Sequence, residues 1–197
     1  MKKKIAIGAV LVLCLSMLAY STIAYFNTAD TARNVITSGN IKIELKETAA
    51  VGTDGGQIPF EQSKEKYDVM PGQQVSKIVR VENTGSNPAY IRISVAKAIE
   101  LAEGVTGAPD LKLISLDFNG TDWTLGNDGY YYYNQPLAAG ATTEPLFRNV
   151  IFDTQMGNMY QESKAVIKVS AQATQVKNNG TDVFSAAGWP ETPTDRE

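Results

Sequence analysis

The 197-residue chain contains no histidine and a single cysteine, Cys14. The first absence removes the commonest general base near neutral pH and the commonest zinc ligand. Ser-His-Asp and Cys-His arrangements are excluded, as is a His-Glu-x-x-His zinc protease motif. The second absence rules out a disulfide framework. The chain also lacks a G-x-x-x-x-G-K-[ST] phosphate loop and a G-x-G-x-x-G dinucleotide fingerprint. No Leu-Pro-x-Thr-Gly motif and no apolar C-terminal run occur, so sortase anchoring is not expected. Neither a cofactor nor a metal is expected.

What is present begins with the N-terminus. Lys2, Lys3 and Lys4 precede an uncharged, mostly apolar run from Ile5 to Ala24. Thr22-Ile23-Ala24 then offers small residues at the two positions a signal peptidase reads, which places cleavage between Ala24 and Tyr25. The run is long enough to span a bilayer, but Ser16, Tyr20, Ser21 and Thr22 make its last third polar, which suits a cleavage region better than an anchor. A lipoprotein signal would need a small residue before Cys14, where Leu13 stands. Residues 1–24 are therefore expected to be an export signal, and contact with the membrane is expected only through it. Cleavage leaves 173 residues without cysteine, with 15 basic and 21 acidic side chains and a net charge of −6. That charge argues against nucleic acid and anionic membrane surfaces as partners. One domain of this length can be held by its core alone.

Period-two alternation dominates the exported part. Ile41, Ile43 and Leu45 alternate with Lys42, Glu44 and Lys46; Val75, Val79 and Val81 with Ser76, Arg80 and Glu82. Ile91, Ile93 and Val95 alternate with Arg92, Ser94 and Ala96, and Ala165, Ile167, Val169 and Ala171 with Lys168, Ser170 and Gln172. Such runs are half-buried antiparallel strands. Turn residues lie between them: Met70-Pro71-Gly72, Asn83-Thr84-Gly85, Ser86-Asn87-Pro88 and Ala139-Gly140. Trp123-Thr124-Leu125 and the run Tyr130–Tyr133 flank Gly126-Asn127-Asp128-Gly129 as a hairpin, with Asp128-Gly129 supplying positive φ. The pattern predicts an all-β fold, an antiparallel jelly-roll-like β-sandwich with few short helices. Residues 96–103 fit either a short helix or a strand, and 49–66 read as a loop. The expected organisation is a flexible lead-in over 25–37, the sandwich over 38–190, and a frayed tail over 191–197.

Three clusters invite a chemical reading. Glu61 with Glu65, and Glu100 with Glu103, are carboxylate pairs of the kind a glycosidase needs, but nothing in the pattern makes them converge. Asp117-Phe118-Asn119-Gly120-Thr121-Asp122 alternates oxygen ligands as a calcium loop does, without the later bidentate glutamate; a plain turn explains it as well. Tyr130, Tyr131, Tyr132 and Tyr133 could stack on a sugar as a ligand face, or could serve as strand residues of high β propensity.

Ile23-Ala24-Tyr25-Phe26-Asn27-Thr28-Ala29-Asp30, followed by Ser38-Gly39-Asn40-Ile41-Lys42-Ile43, resembles export signals processed by SipW, the ER-type signal peptidase of Gram-positive bacteria. Met70-Pro71-Gly72-Gln73, with Glu82-Asn83-Thr84-Gly85, resembles the P-G-[DQ]…N-x-G stretch of the TasA and camelysin family. Tyr160 to Gln175 is similar to that family's last core strand, and the tyrosine hairpin with Pro136–Gly140 to its short clostridial members. The resemblance covers most of the chain. It implies a secreted jelly-roll-like sandwich in the extracellular matrix or on the surface of a Gram-positive bacterium. It further implies self-association into biofilm-matrix fibres, in which an N-terminal strand completes the sheet of the next subunit. Tyr25, Phe26, Val35 and Ile36 are the apolar residues of such a donor strand. Camelysin relatives are described as metallopeptidases, an activity that the missing histidine argues against here. An exported binding module, an adhesin or carbohydrate binder using Tyr130–Tyr133, is the alternative class.

Overall fold

A computed structural model describes residues 27–28, 33–37, 41–63 and 69–190. Their strands are β1 (Asn27–Thr28), β2 (Arg33–Thr37), β3 (Ile43–Val51), β4 (Gly56–Pro59), β5 (Gln74–Asn83) and β6 (Ala89–Glu100). The remainder are β7 (Ile114–Leu116), β8 (Trp123–Leu125), β9 (Tyr131–Tyr133), β10 (Phe147–Phe152) and β11 (Lys164–Gln175). One sheet runs β11-β6-β9-β8, with β1 and β2 both on the outer edge of β11; the other runs β4-β3-β5-β10-β7. All pairings are antiparallel except those of β1 and β2, which lie parallel to β11. The expected all-β sandwich is the observed fold.

Alternation builds the core. Ile43, Leu45 and Ala49 of β3, Val75, Val79 and Val81 of β5, Ile91 and Ile93 of β6, and Ala165, Ile167, Val169, Ala171 and Ala173 of β11 are all buried in one cluster. Trp123, Phe147 and Phe152 add its largest rings. Each large apolar side chain so removed from water contributes about 1.5–3 kcal/mol.

The turn motifs have specific geometric causes. Gly72 adopts φ +80° and Gln73 N–H donates to Met70 O at 3.1 Å, a turn with Pro71 and Gly72 at its centre. The Asn83 side chain is wholly buried; its amide donates to Asn87 O at 2.9 Å and Leu137 O at 3.0 Å, and its oxygen accepts from Gly85 N–H at 3.0 Å. The Asn-x-Gly signature is thus a turn lock that also pins the 137 region to the end of β5.

Several expectations are corrected. Residues 49–66 are no plain loop: β3 extends to Val51 and pairs with β4, because Gly52 and Gly55 supply the positive φ a hairpin needs. Of the two readings left open for residues 96–103, the strand holds as far as Glu100, since β6 pairs along its whole length with β11. In the tyrosine hairpin only Gly129 has positive φ, not Asp128. Residues 33–37 of the lead-in, also read as a candidate donor strand, pair in parallel with β11. Arg92 and Gln172, expected to face water, are buried. Their face of the sheet is covered by residues 176–189, which place Val183 and Ala186 in a second apolar cluster with Tyr90, Tyr130 and Tyr132.

Candidate assembly edge and the buried tyrosine cluster

β11 is twelve residues long and fully paired with β6 on one side. Its other side would present a row of unpaired main-chain groups, a template for any extended segment. The lead-in occupies it: Asn27 and Thr28 pair with Lys164 and Ala165, and Arg33 to Thr37 pair with Val169 to Ala173. Val35 stands opposite Ala171 and remains 40% exposed. Ile36 stands opposite Gln172. Ala24, Tyr25 and Phe26 lie outside the described residues, as do the expected export signal and residues 191–197.

Two properties describe the cover of this edge. The covering strand is short and parallel, a pairing slightly less stable per residue than the antiparallel ladders elsewhere. Its main-chain hydrogen bonds, each worth about 0.5–1.5 kcal/mol net, depend little on sequence.

The four tyrosines do not form an open ligand face. Tyr130, Tyr132 and Tyr133 are buried, and Tyr131 is half-buried. Tyr131 packs against the core and stacks on the exposed Phe118 with centroids 4.3 Å apart, and Tyr133 packs on Trp123 at 5.1 Å within the core. Tyr130 and Tyr132 point to the opposite face, as alternation requires. There Gln172, Arg92 and Tyr132 are register partners across β11, β6 and β9. Arg92 donates from Nε to Gln172 Oε1 at 2.9 Å, and from one terminal nitrogen to the Tyr132 hydroxyl at 3.1 Å and Asp128 Oδ2 at 3.3 Å. Its guanidinium lies 4.0 Å from the Tyr130 ring centroid and 4.6 Å from that of Trp189. Tyr132 in turn donates to Asp128 Oδ2 at 2.6 Å. Burial pushes the Asp128 carboxyl up, but the Tyr132 and Tyr130 hydrogen bonds and the Arg92 charge outweigh it and hold the pKa below the ordinary 3.8. Burial, reinforced by the bond to Asp128, raises the Tyr132 phenol. This network clamps the C-terminal segment to the sheet through Trp189. It was not readable in the sequence, because strand register is what lines up residues 92, 132 and 172.

The calcium-loop segment is a turn. Asp117 Oδ1 accepts from the main-chain N–H groups of Arg148 and Asn149 at 2.8 and 2.6 Å, and Oδ2 from the Asn149 side chain at 2.7 Å. Asn119 ties the turn by accepting from Thr121 and Asp122 N–H. Glu100 and Glu103 are exposed, with Glu100 4.0 Å from Lys164, and Glu65 lies outside the described residues.

A second feature missed in the sequence is internal. Glu47 of β3 and Lys77 of β5 face the core, with side chains 0% and 1% exposed, and Lys77 Nζ donates to Glu47 Oε1 at 2.8 Å. The β5–β10 register slips between Ser76 and Val79, so that both Lys77 and Ile78 are buried. The Phe60 ring centroid lies 4.1 Å from Nζ.

No family model and no curated protein matches this chain.

Proposed function

We propose that this chain is an exported, non-enzymatic structural subunit that assembles into extracellular fibres by exchange of its N-terminal strand, as its resemblance to the TasA and camelysin family implies. One observation carries the reading: the long edge of β11 is completed by residues 27–28 and 33–37, a segment that follows directly on the expected cleavage point and pairs through main-chain bonds. Within one copy this segment caps its own sheet. Released at its N-terminus, it can cap the sheet of a neighbour in the same register, and each subunit then both gives and receives a strand. The receiving edge is flanked by inward-facing Ala165, Val169, Ala171 and Ala173. The binding-module alternative loses its motivation, because the tyrosine rings it relied on are packed away from solvent.

Negative-stain microscopy on residues 25–197, beside a chain beginning at Ile41, tests the proposal. Fibres from the longer chain and none from the shorter, with both giving β-sheet circular dichroism, are expected. Monomers from both, or fibres from both, would overturn it.

A further inference from the structure

We propose that Glu47 and Lys77 are the two halves of an intramolecular amide cross-link that the protein forms within its own core. An ion pair buried this deeply gains little over apolar residues of the same size, so stability alone does not explain it. The geometry fits condensation. The amine nitrogen lies 2.8 Å from Oε1, one bond from the carbonyl carbon it would attack. Both groups sit inside the sandwich, and Phe60 closes over the amine, which keeps out the water that would hydrolyse the product. Groups fixed in this way react with effective molarities of about 10⁵–10⁸ M.

The step balances without an oxidant or a co-reactant. A proton passes from Nζ to the carboxylate, leaving a neutral amine beside a carboxylic acid. The amine lone pair forms the C–N bond at Cδ of Glu47. A proton moves from nitrogen to the departing hydroxyl, the C–O bond breaks, and one water leaves. The product joins β3 to β5 and closes a loop across the 30-residue separation of the pair. It would staple the root of the 48–76 excursion in an exported chain that has no cysteine left to form a disulfide. The inference does not depend on fibre formation.

Mass spectrometry of the purified chain tests it. The expected result is an intact mass one water below that of the sequence, with a branched tryptic peptide in which Glu47–Lys64 is joined to Tyr67–Arg80 and Lys77 is uncut. Lys77→Arg should restore the full mass. A folded wild-type protein at full sequence mass, with free peptides ending at Lys77, would overturn the proposal. So would a water loss that persists in Lys77→Arg, because it would then arise elsewhere, as at Asp54-Gly55 or Asp128-Gly129.

Discussion

Arg92→Ala should be the most damaging single truncation on the outer face of the β6 sheet. The side chain is nearly buried and donates to three acceptors, of which Gln172 is itself fully buried. Each hydrogen bond from a charged donor contributes about 1.5–3 kcal/mol, and a guanidinium between two rings about 0.5–2 kcal/mol. These terms are not additive, and Asp128 is 43% exposed, so its share is small. Removing one member of a buried charged network costs about 3–5 kcal/mol. For a domain of this size that lowers Tm by roughly 6–20 °C. Thermal denaturation followed by far-ultraviolet circular dichroism measures the loss. Tryptophan emission measures the local consequence, because Trp189 stacks on the guanidinium and should shift to the red as the C-terminal segment loosens. Arg92→Lys keeps the charge but lacks the planar fork and should recover only part of the stability. A loss under about 1 kcal/mol, or unchanged emission, would refute the idea that this stack holds the segment down.

Three further outcomes follow from the same geometry. Gly72→Ala should cost about 1–2 kcal/mol by urea denaturation, since a left-handed residue acquires a side chain whose Cβ would meet Thr154 Cγ2 at 2.9 Å. Asp128 has a depressed folded pKa, so its contribution is present above the unfolded value and lost as pH falls through 3.8 and below. Asp128→Asn should therefore flatten the acid limb of the stability–pH curve, and a limb as steep as wild type would contradict that assignment. Phe118→Ala should cost about 0.5–1.5 kcal/mol beyond its lost area by removing the stack on Tyr131, read as a shift in the urea midpoint.

The fold was legible because one face of most strands is apolar and the other polar. Ile43 and Leu45, Val79 and Val81, and Ile91 and Ile93 reveal both the strand and its inward side. Where the alternation broke, the cause lay in tertiary pairing. Ala96 to Glu100 could be helix or strand until β11 claimed them. Arg92 and Gln172 sit at outward positions, and the segment 176–189, remote in sequence from Arg92, covers them. Lys77 looked like an ordinary strand lysine until a register slip and an acidic partner thirty residues away enclosed it. The tyrosine run was visible, but its packing was not, because both of its faces are covered by elements that period alone does not assign. The lead-in was visible as the stretch after the expected cleavage point, whereas its parallel seat on β11 was not.

The most direct test of the account is to learn whose strand occupies β11. Val35 and Ala171 are register partners, and the chain after Ala24 contains no cysteine. Val35→Cys with Ala171→Cys, oxidised after assembly and run on a non-reducing gel, should give a ladder of covalent multimers from fibres and an internally bridged monomer from unassembled protein. Fibres that yield only the internally bridged monomer would contradict strand exchange, because each β11 edge would then still hold the strand of its own chain.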